Sequence, residues 1–304
     1  MILKQTVIAM KKILITGSSG FIGRAAVLYA LKKGYKVNGL DIKDTDITHK
    51  NFTFYKGDIR DRNLVKKATD KCDTVLHLAA MSGIAYFKDD LMANYEININ
   101  GFLNAIDVAR ENKVKVFSYA SSAATYLEEF SENSVMNAKE KRNHYGRSKL
   151  INEMIADSYI ETTNMKILGA RFMNCYGPGE ARKGEWACAI IKFIMAEKKQ
   201  EPIIIYGDGT QSKDFVYIDD LIKIMWILFD KGKSGIYNIG SGTTTPFNYI
   251  ADLVNKNNHK YVKIPTEVYA MYTKADTTKL LKTIGNYKFV SIEEGIQKTK
   301  KYYK

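Results

Sequence analysis

Short apolar runs alternate with longer stretches whose apolar residues recur at helical spacing, from Lys11 as far as Phe172. The runs at Lys11–Thr16, Tyr35–Leu40, Phe52–Tyr55, Thr74–Ala80, Lys115–Ala120 and Lys166–Phe172 predict strands. Helices are predicted through Leu31, over Leu64–Thr69, from about Leu91 to Glu111, and from Tyr145 onward. Regular alternation of this kind predicts an α/β fold with a parallel, doubly wound sheet, whose ligand lies at the carboxyl ends of its strands. Beyond Phe172 the alternation weakens. A helix at Trp186–Lys198, a strand at Ile203–Tyr206, a turn-rich Gly207–Thr210, a helix running from Asp214–Asp220 through Phe229 and a strand at Ile236–Gly240 predict a smaller lobe packed over the sheet edge. Internal repeats and low-complexity linkers are lacking, so residues 10–175 and 176–304 read as two interwoven parts of one unit. Residues 1–9 precede a second methionine, Met10, and add nothing to this pattern.

The first strand-to-helix junction reads Gly17-Ser18-Ser19-Gly20-Phe21-Ile22-Gly23. Glycines belong there when a backbone must approach a pyrophosphate, whose charge rests at the helix N-terminus. Alone, such a motif is weak. Context strengthens it, because the second strand leads to Asp41, about two dozen residues after Gly17, where a carboxylate can accept both ribose hydroxyls of an adenosine. NAD is favoured over NADP, with Lys43 leaving a 2′-phosphate conceivable; Asp41 as a mere turn residue is the plainer alternative.

The fifth strand runs into Ser121-Ser122, where such a sheet presents its ligand. A polar stretch, 127–143, then delivers the chain to Tyr145-Gly146-Arg147-Ser148-Lys149. On a helix Tyr145 and Lys149 share a face one turn apart, so an ammonium lies beside a phenol. A neighbouring positive charge favours phenolate, which predicts a lowered tyrosine pKa and a possible base. Serine after a strand is often just a turn, and Tyr-x-x-x-Lys is often just helix surface; placed together in this order they favour catalysis.

Composition changes the picture little. With 45% hydrophobic and 26% charged residues the 304-residue chain has a globular make-up. No run reaches the roughly 18 apolar residues of a membrane span and nothing resembles a leader, so cytoplasm is the expectation. Cys72, Cys175 and Cys188 lie far apart and the four histidines are scattered, which points to neither disulfides nor a structural metal. The net charge of +13 comes from dispersed lysines, a solvated surface that also draws in a phosphate-bearing ligand, rather than from a nucleic-acid-binding block.

Together these segments resemble the extended short-chain dehydrogenase/reductase family, in its nucleotide-sugar epimerase branch, from Met10 to Lys304. The carrying motifs, in the family's order, are the glycine loop, Asp58-Ile59, His77-Leu78-Ala79-Ala80, Asn98-Ile99-Asn100-Gly101, Ser121-Ser122, Tyr145-x-x-x-Lys149, Arg171-x-x-Asn174-x-Tyr176-Gly177-Pro178 and Gly207-Asp208-Gly209-Thr210. The resemblance implies a Rossmann domain over 10–175 with the catalytic helix, a substrate-binding lobe mainly over 176–304, bound NAD and a homodimer through the helices near 92–110 and 145–160. It implies catalytic roles for Ser122, Tyr145 and Lys149, the last also holding the nicotinamide ribose. Gly17, Gly20 and Gly23 with the backbone of Phe21 and Ile22 would frame the pyrophosphate, Asp41 the ribose, and Asp58 and Ile59 the adenine. Leu78, Ala79, Ala80 and Asn98 would form the inner wall, and Met173 would border the nicotinamide. Asn174, Lys183 and Lys213 would meet the sugar nucleotide. Local matches, including Lys183-Gly184 and Tyr272–Asp276, resemble ADP-heptose 6-epimerases, while the layout equally resembles UDP-sugar 4-epimerases. Dehydration is disfavoured because Ala123 and Ala124 stand where dehydratases carry Asp-Glu. Lys213 and Val268 stand where UDP-sugar enzymes usually carry arginine, which puts the nucleotide in doubt. An NAD(P)H-dependent keto-sugar reductase and a non-catalytic nucleotide sensor or RNA-binding relative are the competing readings.

Overall fold

The computed structural model describes residues 11–82, 90–126, 132, 143–264 and 271–304; Met10, Val268 and most of 127–143 lie outside them. The chain begins with β1 (Lys12–Thr16), α1 (Phe21–Lys32), β2 (Lys36–Asp41), β3 (Phe52–Lys56), α2 (Arg62–Thr69) and β4 (Thr74–His77). It continues through α3 (Leu91–Tyr95), a π turn (Glu96–Asn100), α4 (Gly101–Glu111), β5 (Val116–Ser122) and α5 (His144–Thr162). Next come β6 (Lys166–Phe172), β7 (Asn174–Tyr176), α6 (Ala189–Lys198), β8 (Ile203–Tyr206), β9 (Ser212–Lys213), β10 (Phe215–Tyr217), α7 (Ile218–Lys231) and β11 (Gly235–Ile239). The last elements are β12 (Thr245–Pro246), α8 (Phe247–Asn255), β13 (His259–Val262), β14 (Tyr272–Thr273), α9 (Thr278–Ile284) and α10 (Ile292–Tyr303).

Seven strands form one parallel sheet in the order β11-β6-β5-β4-β1-β2-β3. The doubly wound α/β expectation holds. Side chains alternate across it: Ile13 and Ile15 join the core shared with α1 and α7, whereas Leu14 joins the core shared with α2 and α4. Both faces are therefore buried, as a parallel sheet requires.

The largest departures from the sequence reading are at β11 and in the helix after β4. Residues 236–240, read with the smaller lobe, supply β11, which pairs with β6 from Gly235↔Leu168 to Ile239↔Phe172. Pairing there covers the edge of β6 and buries Tyr237 and Ile239. The helix read as continuous over 91–111 contains a π turn at Glu96–Asn100. The wider turn accompanies a buried side chain, Asn98, that bonds outside the helix.

The smaller sheets, β10-β7, β12-β9-β14 and β13-β8, cluster beyond the carboxyl end of β6. Asp214, fully buried between β9 and β10, braces the turn after β11 and the segment after β14. Its carboxylate accepts from Ser241 N (2.8 Å), Ser241 Oγ (2.8 Å), Gly242 N (3.0 Å) and Ala275 N (3.1 Å). Burial pushes this carboxyl upward and those donors oppose it.

Candidate active site

The glycine loop lies at the carboxyl end of β1, and each glycine there answers a packing demand. Gly17 has φ of 66°, and a Cβ on it would meet Ala79 N at 2.9 Å. A Cβ on Gly23 would sit 1.9 Å from Gly17 O, so only glycine lets α1 start against the loop. Gly20 caps α1 without a side chain, and the first turn carries no acidic residue, leaving its N–H groups and positive dipole end for an anion. Thr16 closes the cradle from below: Oγ1 accepts from Leu78 N and Ala79 N, both at 3.1 Å, and shares a 3.0 Å hydrogen bond with His77 Nδ1. Burial drives the His77 pKa down to about 3, so this imidazole stays neutral.

Asp41 ends β2 and bonds back to the loop, accepting from Ser19 N on one oxygen and Lys43 N on the other, both at 2.9 Å. A carboxylate offers about four acceptor positions, so two ribose hydroxyls still fit. Phe21 is buried and Ile22 half-buried. Asp58 grips the guanidinium of Arg60, while Ile59 is buried against Gly101, where a Cβ would come within 2.6 Å of its side chain. Leu78, Ala79 and Ala80 line the carboxyl end of β4, half-buried. This set of residues fits a dinucleotide: a side-chain-free loop, a helix terminus with no side-chain cap and a carboxylate at the next strand end.

β5 brings Ser122 to the same edge, where Oγ accepts from Ala124 N at 3.1 Å and is hydrogen-bonded to the Tyr145 hydroxyl. Asn143 caps α5 through Gly146 N at 2.8 Å. A Cβ on Gly146 would fall 2.2 Å from Ala124 O, so this glycine lets the helix start abut the turn after Ser122. Lys149, 4% exposed, donates to Ala120 O at 2.9 Å, and its ammonium lies 5.8 Å from the Tyr145 ring centroid. Sequence spacing and strand order thus bring the three residues together.

The expected lowering of the Tyr145 pKa is not what the chain's own residues produce. Burial raises it, and the hydrogen bond from Ser122 and the charge of Lys183 oppose that rise. Lys149 pays a similar cost: burial lowers its pKa to about 8, with Glu153 opposing. Spacing alone overlooked desolvation, which disfavours the charged form of either group.

Asn98, expected as wall, is spent on architecture. It accepts from Met81 N (2.8 Å) and donates to Met81 O (3.1 Å) and Ser148 Oγ (3.2 Å), while its carbonyl accepts from Asn152 (2.9 Å). Thr16, Ser148 and Asn152 escaped the sequence reading, and His77 entered it only as part of a motif without a role, since each acts through partners distant in sequence. The shared helix faces of Tyr145/Ser148/Asn152 and Lys149/Asn152 were the one available signal.

On the substrate side, Met173 packs with Tyr126 and Ala275. Asn174 donates to Asp214 O at 3.0 Å, so its amide already braces the lobe. Lys213, on β9, is half-buried, and burial brings its pKa down to about 8. Lys183 pairs with Glu180 at 3.2 Å and lies 5.4 Å over the Phe21 ring. Among the described residues no cluster has the makings of a metal site, and no helix is long and apolar enough to cross a membrane.

A UDP-N-acetyl-α-D-glucosaminuronate decarboxylase of Bacillus cytotoxicus is 28% identical over 97% of this chain and 98% of its own. The UDP-glucose 4-epimerase of Thermotoga maritima, solved with UDP-glucose, superposes with a TM-score of 0.88 at 26% identity, covering 96% of this chain and 98% of that one. A UDP-glucuronic acid 4-epimerase from Bacillus cereus, in complex with UDP-glucuronic acid and NAD, gives 0.82 at 25% identity, again over 96% and 98%. The model of the NAD dependent epimerase/dehydratase family matches residues 13–240, and to that family this chain belongs.

Proposed function

We propose that the protein is an NAD-dependent epimerase of a nucleotide-diphosphate sugar, of the 4-epimerase type, working through a transient keto-sugar. The observation that carries this reading is the convergence of Ser122, Tyr145 and Lys149 beside the glycine loop. NAD, which the glycine loop and Asp41 would hold, would supply the hydride acceptor and donor that the reaction needs. Tyr145, as phenolate, takes the sugar hydroxyl proton, and Ser122 hydrogen-bonds the reacting oxygen through that step. Lys149 adds positive charge beside the phenol and holds the nicotinamide ribose. Tyr145 then returns the proton to the keto oxygen, and the product differs from the substrate at one stereocentre. Asp41 favours NAD over NADP, because its carboxylate repels a 2′-phosphate.

Tyr145→Phe is expected to retain NAD and to lose about 10²- to 10⁴-fold in kcat, the usual worth of a positioned base. Incubation with UDP-, GDP-, ADP- and dTDP-sugars, with products resolved by NMR, tests the reaction. Full turnover in Tyr145→Phe refutes the assigned base.

A decarboxylating reaction is the second reading, supported by the decarboxylase relative. It shares the oxidation step and releases carbon dioxide from a uronic acid, which the same NMR panel detects. The homodimer expected from the family resemblance rests on exposed Leu103 on α4 and Met154 on α5.

A further inference from the structure

The loop after β2 is stitched along the start of α1. Ser19 donates through its N–H to Asp41 Oδ2 (2.9 Å) and through Oγ to Lys43 O (3.0 Å). Further along, Arg24 on α1 grips Asp46 with two bonds, Nε to Oδ1 (2.9 Å) and Nη2 to Oδ2 (3.2 Å), and the next residue, Ile47, packs against the main core. Asp46 Oδ2 also accepts from Arg182 Nη2 at 2.9 Å, and Arg182 belongs to the loop after β7. That loop is firmly rooted. Gly179 turns it with φ of 92°, and from α10 the Tyr303 hydroxyl oxygen accepts both Gly179 N–H (2.9 Å) and Ala181 N–H (3.0 Å). Glu180, fully buried, accepts from Cys188 N (3.0 Å) and Lys183 Nζ (3.2 Å), and the Lys183 ammonium lies over Phe21, the first residue of α1. One carboxylate therefore joins the loop that begins at Asp41, the helix that begins at the glycine loop, and a loop of the smaller lobe.

We propose that Asp46 is a positioning residue for the cofactor: by bridging Arg24 and Arg182 it clasps the smaller lobe onto the dinucleotide cradle and slows the departure of NAD. The proposal rests on the reading of the glycine loop and Asp41 as the seat of NAD. Arg24 is the fixed end of the clasp, because it stands on a helix and holds both carboxylate oxygens. Arg182 is the arm that crosses between the lobes. The three side chains are 27%, 50% and 46% exposed for Arg24, Asp46 and Arg182. An isolated pair so exposed is worth little, whereas a bidentate grip shared by two arginines counts for more. Partial exposure also lets the clasp open for the cofactor to enter, and makes its hold sensitive to salt.

The full chain is loaded with NADH, and release is timed by nicotinamide fluorescence after addition of excess NAD. Wild type is compared with Asp46→Asn, Asp46→Glu, Arg182→Gln and the Asp46→Asn/Arg182→Gln double variant. In about 10 mM salt, Asp46→Asn and Arg182→Gln are each expected to release NADH about fivefold faster. The double variant is no faster than either single one, as expected of residues acting through one contact. Asp46→Glu, which keeps the charge, recovers most of the slow release. In about 1 M salt the wild type speeds up toward Asp46→Asn, since screening removes the same attraction. Lys56→Gln, which breaks the exposed Lys56–Asp44 pair within the Rossmann part alone, leaves release unchanged. Equal release from wild type and Asp46→Asn, effects that multiply in the double variant, or no slowing in Asp46→Glu overturns the proposal. A full chain that takes up no NADH refutes the assignment of the cradle instead. Hydrogen exchange of the cofactor-free protein then decides the clasp: faster exchange over residues 179–186 in Asp46→Asn upholds it, and an unchanged pattern overturns it.

Discussion

Arg171 and Glu153 form an ion pair at 2.7 and 2.9 Å with side chains only 8% and 9% exposed. Two such charges leave water at a cost of several kcal/mol each, recovered only where every donor and acceptor is matched. Here Ser121 Oγ donates to Glu153, the Tyr126 ring lies 4.6 Å from the guanidinium carbon, and the Tyr126 hydroxyl donates to Asn238 Oδ1 at 2.6 Å. The pair ties β6 to α5 behind Ser122, Tyr145 and Lys149. Glu153→Ala is expected to destabilise by about 3–5 kcal/mol in urea unfolding, because Arg171 is left buried and unpaired. Lys149 makes an opposite prediction with pH. Its folded pKa, about 8, lies below the ordinary 10.5, so between these values the unfolded chain binds the proton that the native one has released. This residue therefore costs stability below about pH 8 and less as pH rises. Lys149→Met should lose that upward trend in the urea midpoint between about pH 8 and 10.

Among elements, the junction of β1 with α1 allows least variation. The Gly23 position meets Gly17 O within bonding-like range of any added Cβ, and the obstacle is backbone rather than a movable side chain. Gly23→Ala is expected to abolish NAD retention in the purified protein, read as loss of the bound-cofactor absorbance. The π turn matters for a different reason. It directs Asn98 toward Met81 and Ser148, so the loop after β4 and the start of α5 share one anchor. β4 ends at His77, earlier than the apolar run through Ala80 implied: Leu78 N is shared between the Thr16 carbonyl (3.3 Å) and the Thr16 hydroxyl, and Ala79 N turns to the hydroxyl.

At the scale of the molecule, α4 and α5 pack together and leave Leu103 42% and Met154 59% exposed. Apolar residues on adjacent helices suit a self-complementary two-fold interface. Sedimentation velocity is expected to give a dimer, and Leu103→Glu with Met154→Glu a monomer that keeps its cofactor. α4 carries both signs of charge: Asp107 pairs with Arg62 and Arg110, and Glu111 with Arg62.

The parallel, doubly wound sheet and the placing of the glycine loop, Asp41, Ser122 and the Tyr145–Lys149 pair at its edge were legible because each depends on neighbours close in sequence or on a repeating period. Helix geometry puts Tyr145 over Lys149, and an alternating strand-helix pattern puts both at the carboxyl edge of a parallel sheet. The chain's order of residues could not show that β11 joins the main sheet, that Asn98 and Asn174 spend their amides on bracing, or that Tyr303 clasps Gly179. Nor could it show that burial raises the Tyr145 pKa against the Ser122 hydrogen bond and the Lys183 charge. Those outcomes turn on water excluded and distances closed between segments far apart along the chain, and only the folded arrangement sets them.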